Sequence, residues 1–360
     1  MKVLFISRST LNSVRGGDST QVYGTAAALR QLGVDVDVKS IAEVEDVNAY
    51  DIVHYFNLIR PADLVALLPG LRVPLVVSTI YVDYSEFDQK ERSGLFALAA
   101  NTLSKHRLEH LKAFIRHVKG QDRIPSWQFA LMGQKRSMQR VLDRAAMLLP
   151  NSMNEMKRIE ADFGAHYPYK VVPNAVSEDF FANPNDVERI ANRILCVGQI
   201  EGRKNLHRII EAIRGLDVEL IVVGTPSPNN TAYLERCTSR ADSRVRFVGF
   251  VSGQELIDLY YSSKVHVSAS WFETTGLTSL EAGACGCNLV VSDRGDTKDY
   301  FDDYAEFCQP DDLSSICSSI ETALVKSCDQ RFSQKIRTSY LWAHSAETTL
   351  EAYNEVLKKQ

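Results

Sequence analysis

The stretch RILCVGQIEGRKNLHRIIEAIRGLDVELIVVGT, residues 193–225, decides the fold of this chain. Two short apolar runs, RILCVGQI and VELIVVGT, stand on either side of the helix-like segment KNLHRIIEAIRGL. Continuous apolar runs of this length are typical of strands whose two faces are both covered. A strand, a helix and a second strand in this order predict a parallel sheet.

The same alternation continues on both sides of this stretch. Towards the carboxyl end it includes VRFVGFV, SGQELIDLYYSS, VHVSAS, TSLEAGACG and NLVVSD, and towards the amino end KVLFIS, STQVYGTAAALRQLG, VDVDVKS, DIVHYFN, VPLVVSTIY and AAMLLPNS. A proline-rich passage without a sustained period separates the halves and predicts a linker near residues 175–190. We therefore expect two doubly wound α/β domains, with a ligand cleft at the carboxyl ends of their strands.

Length and composition exclude several classes of protein. The chain has 360 residues, of which 45% are hydrophobic and 24% charged, as in a soluble two-domain protein. No apolar run approaches the roughly 20 residues of a membrane-spanning helix, and the amino terminus is interpreted as a buried strand and not a signal peptide. The seven cysteines lack zinc-binding spacing, which favours free thiols in a reducing cytoplasm. A net charge of −4 argues against a general nucleic-acid binder.

The segment from Arg92 to Arg140 departs from this acidic average. It carries ten Lys and Arg residues against two acidic ones. Apolar residues accompany the charges, namely Leu108, Leu111, Ile115 and Val118 at helical spacing and then Trp127, Phe129 and Met132. An amphipathic helix pair with a solvated face is one interpretation. The other is a surface attracted to anionic lipid, worth about 1 kcal/mol per cation, and we expect peripheral membrane contact through residues 92–140.

Three loops carry candidate binding residues. Gly16 and Gly17 precede a predicted helix, where backbone amides suit an anion, although their spacing does not fit a dinucleotide fingerprint. Arg203 and Lys204 follow a predicted strand and suit a phosphate or diphosphate.

The third loop, WFETTGLTSLEAGACG, residues 271–286, sets Glu273 and Glu281 eight positions apart. The amides near Gly276 to Thr278 would form an anion site at the start of a helix, with Glu281 in its first turn. Two carboxylates could then accept from hydroxyls at the two ends of a ligand whose anion lies between them. That pattern indicates a sugar nucleotide.

At these residues the chain resembles the retaining glycosyltransferases of the GT-B fold, in glycosyltransferase family 4. ETTGLTSLEAGACG resembles the family's E-x7-E motif, with Thr275 in place of the usual Phe. Further similar elements, in the family's order, are VPNAV at 172–176, VGQIEGRKN at 197–205, FVGFVSGQEL at 247–256 and the tail that contains Trp342 and Tyr353.

The resemblance implies two Rossmann-like domains. The first would span residues 1–180 and bind the acceptor, with a basic helical insertion at about 84–145. The second would span 181–338 and bind the nucleotide sugar, and residues 339–360 would form a helix that packs back on the first domain.

The implied reaction moves a sugar from a nucleoside-diphosphate sugar, of UDP or GDP type, to a saccharide or lipid-linked saccharide. It proceeds with retention and needs neither a metal ion nor a cofactor. By similarity, Glu281 would hold the ribose, Glu273 the donor sugar, and Lys204, Arg203, Gly198 and the amides of Gly276, Leu277 and Thr278 the diphosphate. Surface polysaccharide, O-antigen or glycolipid biosynthesis follows as the expected role. The expected location is the cytoplasm or the inner face of the cell membrane, with no nucleic-acid partner.

Two positions depart from the family pattern. Gln199 stands after Gly198 where the family usually has Arg, and Tyr81 or Asp83 stands near the place of a usual His. Asp83 is therefore our weaker candidate for a catalytic role. Two alternatives stay open, a non-hydrolysing sugar-nucleotide epimerase and a non-catalytic sugar-nucleotide-binding subunit.

Overall fold

The computed structural model describes residues 1–8, 11, 16–92, 94–118, 126–183, 185–227 and 230–359. The chain divides into two compact units. The first unit comprises Met1–Asn174 and Trp342–Gln360, and the second comprises Ala175–Leu341. Each unit is built on a parallel sheet with helices on its faces. The prediction of two doubly wound α/β domains is confirmed.

The first unit contains a five-stranded parallel sheet in the order β2-β1-β3-β4-β5. Its central strands are apolar on both faces, as the sequence predicts, and they are buried on both faces. The strands are β1 (Lys2–Ser7), β2 (Asp35–Ser40), β3 (Ile52–Phe56), β4 (Leu75–Ser78) and β5 (Ala145–Leu149).

The described part of the first unit has seven helices before the boundary at Asn174. Four of them, α3 to α6, lie between β4 and β5 and make up the helical insertion. Ser152 caps the last of the seven, because its hydroxyl accepts from the amide of Glu155 at 3.0 Å. The helices are α1 (Gly17–Gln31), α2 (Pro61–Leu67), α3 (Ser85–Lys90), α4 (Gly94–Thr102), α5 (Lys105–Val118), α6 (Trp127–Arg144) and α7 (Met153–Phe163), with short 3₁₀ turns at Ile41–Glu43, Val47–Ala49 and Leu68–Gly70.

The second unit contains a six-stranded parallel sheet in the order β11-β10-β9-β6-β7-β8. β11 was not predicted, because its four residues are too few to show a period. The strands are β6 (Ile190–Val197), β7 (Glu219–Val223), β8 (Val245–Gly249), β9 (Ser263–Ser268), β10 (Asn288–Ser292) and β11 (Ala305–Cys308).

The helices of the second unit connect these strands and cover the sheet. They are α8 (Leu206–Ala212), α9 (Thr231–Thr238), α10 (Gln254–Ser262), α11 (Leu277–Ala284), α12 (Thr297–Phe301), α13 (Leu313–Val325) and α14 (Gln330–Ser339), with 3₁₀ turns at Glu178–Phe181, Gly202–Lys204 and Asp302–Tyr304. Two apolar clusters, one on each face of the sheet, form its core.

The C-terminal helix, α15 (Trp342–Leu357), belongs to the first unit and packs on α1. Gly24 of α1 makes the contact possible, because a Cβ there would lie 2.5 Å from the Trp342 ring. The hydroxyl of Tyr353 lies 2.6 Å from Nδ1 of His54 on β3. Leu341, directly before this helix, packs in the core of the second unit. The described helices include none that is both long enough and apolar enough to cross a bilayer.

Candidate functional site

The loops after β6 and β9 lie side by side, because these two strands are neighbours in the sheet of the second unit. The amide of Trp271 donates to the carbonyl of Arg203 at 2.9 Å. Asn205, fully buried and left-handed with φ 61°, donates from its side chain to the carbonyls of Ala269 at 3.1 Å and Pro310 at 2.7 Å. These bonds fix the two loops to each other at the carboxyl edge of the sheet.

Lys204 and Glu273, one from each loop, form an ion pair. The Lys204 Nζ lies 2.5 Å from Glu273 Oε1, and their side chains are 34% and 15% exposed. A recess at the same edge is lined by Lys204 together with Gly198, Ser268 and Ser270. The structure therefore brings together the residue predicted to hold phosphate and the residue predicted to hold the sugar.

Arg203 points to a different partner. Its guanidinium donates to Glu201 at 2.6 Å, and its side chain is 34% exposed. The family resemblance implies that Arg203 binds the diphosphate. The structure places Arg203 in the same loop as Lys204 but pairs its side chain with Glu201.

Gly276 forms the turn between the two glutamates. It has φ 81° and is the N-cap of α11, so Leu277 and Thr278 are the first two residues of that helix. Amides at these positions have no acceptor within the helix. Together with the positive end of the helix dipole they suit an anion.

A third loop, after β10, supports Glu273. The amide of Asp296 donates to the Glu273 carbonyl at 2.8 Å. Gly295, with φ 84°, lies so close that a Cβ there would be 2.0 Å from the same carbonyl oxygen. Sequence reasoning missed this contact, although a glycine that follows a predicted strand, as in SDRGD, is a signal for close backbone approach.

Glu281 is the fifth residue of α11, so it lies in the second turn and not in the first as we expected. It keeps partial exposure to solvent. Burial raises the pKa of its carboxyl to about 7, and a hydrogen bond from the Tyr260 hydroxyl at 2.8 Å opposes that rise. Sequence reasoning also missed Tyr260, because an aromatic residue on the apolar side of a helix is usually core.

Asp83 and Tyr81, the weaker candidates, belong to one polar network in the first unit. Lys105 Nζ lies 3.1 Å from Asp83 and 2.5 Å from Asp162, and the Tyr81 hydroxyl donates to Asp162 at 2.5 Å. Burial raises the pKa of Asp83, but hydrogen bonds from Ser85 and Lys105 outweigh it and hold that pKa below its usual value. Asp83 is therefore an ionised carboxylate next to a cation.

Gly16 and Gly17 lie at the start of α1, and residues 12–15 before them are outside the described part of the chain. The Gly16 amide donates to the Ser19 hydroxyl at 3.0 Å. Asp18, in the first turn, receives two bonds from Arg8, Nε to Oδ2 at 2.6 Å and Nη2 to Oδ1 at 3.0 Å. The carboxylate of Asp18 therefore lies at the start of this helix, beside the two glycines.

Much of the positive charge between Arg92 and Arg140 is paired within the protein. Lys105, Lys112, Arg92 and Arg116 each lie within ion-pair distance of a carboxylate, whereas Lys119 and Arg123 are outside the described residues.

The apolar residues of this segment are divided between core and surface. Leu108 and Phe129 are buried and do not contribute to a surface. Among the described residues of the segment, five large apolar side chains are exposed, namely Leu98, Leu111, Val118, Trp127 and Leu131.

The second unit is similar to a known family. Residues 178–337 match the family described as "Glycosyl transferases group 1", and they make up nearly all of the second unit.

Curated relatives match parts of the chain. The serotype-specific mannosyltransferase WbdA of Escherichia coli is 27% identical over 216 residues, which are 52% of this chain and 26% of that protein. The aligned part is thus about a quarter of the length of WbdA. The D-inositol 3-phosphate glycosyltransferase of Gordonia bronchialis is 25% identical over 328 residues, 78% of this chain and 69% of that protein.

Solved structures match over essentially the whole length. Sucrose-phosphate synthase from Thermosynechococcus elongatus superposes with a TM-score of 0.75 at 14% identity, covering 100% of both chains. HepE of Anabaena, in complex with UDP and glucose, gives 0.71 at 14% identity, covering 99% of this chain and 100% of HepE. These matches show the fold, which is GT-B as expected.

Proposed function

We propose that this protein is a retaining, metal-independent glycosyltransferase that moves a sugar from a nucleoside-diphosphate sugar to a saccharide or lipid-linked saccharide. The observation that carries the proposal is the Lys204–Glu273 pair, held beside the recess at the carboxyl edge of the unit that matches the glycosyltransferase group 1 family. The similarity to WbdA and to the O-antigen chain mannosyltransferase B of Escherichia coli supports a role in building O-antigen or a related surface polysaccharide.

In this proposal Lys204 and Glu273 bind different parts of the donor. The diphosphate takes the ammonium of Lys204 and the amides of Gly276 to Thr278, while Glu273 accepts hydrogen bonds from the hydroxyls of the donor sugar. Charge grows on the leaving diphosphate as the sugar–phosphate bond breaks, and preorganised cations and amides stabilise that charge. The acceptor oxygen bonds to the anomeric carbon on the same face, and its proton passes to the leaving phosphate oxygen.

Glu281 holds the ribose of the donor. A carboxylate accepts from two adjacent hydroxyls, and it does so best when ionised. Because the pKa of Glu281 is raised to about 7 by burial, we expect donor affinity to rise with pH through that value.

The acceptor binds to the first unit in this proposal. Asp83 is the candidate contact there, since its carboxylate is ionised and half-buried, two residues before α3. A carboxylate can accept a hydrogen bond from an acceptor hydroxyl and orient it. The glycines at the start of α1 remain candidates for a second polar contact.

The helical insertion supports contact with a membrane that carries the acceptor. Trp127 and Leu131 lie one turn apart on α6 and are 69% and 78% exposed. Arg136 and Arg140 are exposed as well, and they follow Gly133, whose non-helical backbone (φ 76°) kinks α6. Exposed aromatic and aliphatic side chains in a segment that also carries exposed cations suit an interface of anionic lipid.

Liposome co-sedimentation tests the membrane contact. We expect the double variant Trp127→Glu/Leu131→Glu to lose most of its binding to vesicles that contain anionic lipid. Val325→Glu is the matched control, because Val325 is 85% exposed but belongs to the second unit. Equal binding by both variants would remove membrane contact from the proposal.

A thermal-shift panel of UDP- and GDP-sugars tests donor binding. We expect at least one donor to raise the melting temperature of the wild type and to have far less effect on Glu281→Ala. Glu255→Ala, an exposed glutamate on α10, is the control that should behave as wild type. A panel without a shift for the wild type refutes the proposal.

Turnover then separates the alternatives. Release of nucleoside diphosphate that depends on an added saccharide supports transfer. Appearance of an epimeric nucleotide sugar without any acceptor identifies an epimerase instead. Binding without either product identifies a non-catalytic subunit.

A further inference from the structure

Tyr260 is a buried aromatic residue whose hydroxyl contacts Glu281, the residue proposed to bind the ribose. It lies on α10, which packs beside α11 on the same face of the sheet, and its side chain is fully buried. The hydroxyl donates to Glu281 Oε2 at 2.8 Å. One oxygen of the carboxylate is thereby engaged from the protein side, which leaves the other oxygen for an external ligand.

Packing fixes the Tyr260 ring in place. The ring meets Phe180 edge-on, with centroids 5.9 Å apart and planes at 72°. The carbonyl of Tyr260 accepts from the Cys287 thiol at 3.0 Å. Leu280 of α11 belongs to the same apolar cluster. A ring held on these sides presents its hydroxyl in one direction only.

We propose that Tyr260 is a positioning residue that orients Glu281 and favours its ionised form, so that the carboxylate can accept from the ribose hydroxyls of the donor. This inference rests on the proposed function, because it assigns the ribose to Glu281. It adds a residue from a different helix that contacts the ligand only through Glu281.

The charge balance around the carboxyl group supports this role. Burial raises the pKa of Glu281 to about 7, and the Tyr260 hydrogen bond lowers it. Burial raises the pKa of Tyr260 itself well above its usual value, so its hydroxyl stays a donor at neutral pH. Removing the hydroxyl should therefore shift the ionisation of Glu281 to higher pH.

The other titratable groups that face this pair keep one state near neutral pH. Burial raises the pKa values of both Cys285 and Cys287, the latter to about 11. His266 on β9, whose ring lies 6.0 Å from that of Tyr260, has its pKa lowered by burial to about 3. Among these described neighbours, Glu281 alone is expected to titrate between pH 5 and 9.

The test measures the affinity for UDP and for GDP by calorimetry between pH 5.5 and 9. The variant is Tyr260→Phe, which removes one oxygen and keeps the ring. The matched control is Tyr261→Phe, because the Tyr261 hydroxyl donates to the carbonyl of Phe180 at 3.1 Å and not to Glu281. Circular dichroism and melting curves at each pH confirm that the variants are folded.

We expect Tyr260→Phe to bind the preferred nucleotide roughly tenfold more weakly at pH 7, the effect of one hydrogen bond to a charged group. The loss should shrink as the pH rises to 9, because Glu281 then ionises without help. Tyr261→Phe should follow the wild type throughout. A Tyr260→Phe profile equal to the wild-type profile overturns the proposal, and so does a loss that is constant with pH, since the hydroxyl would then not act through the ionisation of Glu281.

Glu281→Gln separates this inference from the proposed function. Weaker binding by Glu281→Gln with unchanged binding by Tyr260→Phe removes only the role of Tyr260. A wild type that binds neither nucleotide, or a Glu281→Gln variant that binds as wild type, refutes the ribose assignment and the inference with it.

Discussion

Gly295→Ala is the sharpest test of how the site is built, because it changes one methyl group outside the proposed ligand contacts. The new Cβ would lie 2.0 Å from the Glu273 carbonyl oxygen and 2.9 Å from its backbone nitrogen. Ordinary contact begins at 3.4 Å, so the two loops must separate by about 1.4 Å. The bond from the Asp296 amide to Glu273, 2.8 Å long, would stretch or break.

The expected magnitude follows from that displacement. A misplacement of about 1 Å in a catalytic constellation can lower turnover by roughly 10²-fold. We therefore expect Gly295→Ala to reduce transfer by about two orders of magnitude. The affinity for free nucleoside diphosphate, which we propose to depend on Glu281 and Lys204, should fall much less. A coupled assay of nucleoside diphosphate release and calorimetry give the two readouts.

Gly33→Ala is the matched control. Gly33 has φ 81°, nearly the φ of 84° at Gly295, and no heavy atom within 4 Å of its ideal Cβ. An alanine in the left-handed region costs about 1 kcal/mol. The positive φ therefore destabilises both variants by a similar amount. Turnover of Gly295→Ala within threefold of Gly33→Ala would refute the claim that this contact positions Glu273.

Three further variants test other parts of the structure. Lys204→Met should weaken nucleoside diphosphate binding by roughly 10-fold or more, the effect of a lost charged hydrogen bond. Calorimetry measures this affinity, with Lys264→Met as the control. Equal affinities of the two variants would exclude Lys204 from the phosphate site. Gly24→Ala should lower the melting temperature, since overpacking against Trp342 at 2.5 Å costs about 1–3 kcal/mol and exceeds the helix gain of about 1 kcal/mol; a higher melting temperature would contradict the packing of α15. Glu281→Gln should gain stability relative to wild type as pH rises from 4.5 to about 7. In that range the Glu281 carboxyl binds more protons in the folded protein than in the unfolded one, so the stability of the wild type falls as pH rises. A difference in melting temperature that does not change with pH would contradict the raised pKa.

The alternation of strands and helices was readable from the sequence because each element carries its own signal. Apolar runs such as RILCVGQI and VELIVVGT become β6 and β7, since a strand buried on both faces must be apolar on both. β11 was not predicted, because its apolar run is too short to show the pattern of a strand. The helix that contains Trp342 was predicted, but only the structure shows that Leu341 packs in a different unit from Ala346.

The basic helical segment shows the limit of counting charges. The sequence gives ten cations between Arg92 and Arg140, and the structure pairs several of them with carboxylates, as in the bonds of Lys105 to Asp83 and Asp162. An ion partner can be distant in sequence, so a segment's net charge does not state the charge it presents. Exposure of Trp127 and burial of Phe129, two residues apart, likewise depend on which helix face meets the unit.

The sequence by itself determined the fold class, the two-domain organisation and the motifs that contain Lys204, Glu273 and Glu281, because these follow from local periodicity and from motif spacing. Only the tertiary structure decided that Lys204 meets Glu273, that Gly295 braces Glu273 and that Tyr260 bonds to Glu281. Each of these contacts joins loops or helices that follow different strands. Their geometry is set by strand order and register across the sheet, which no local pattern of residues encodes.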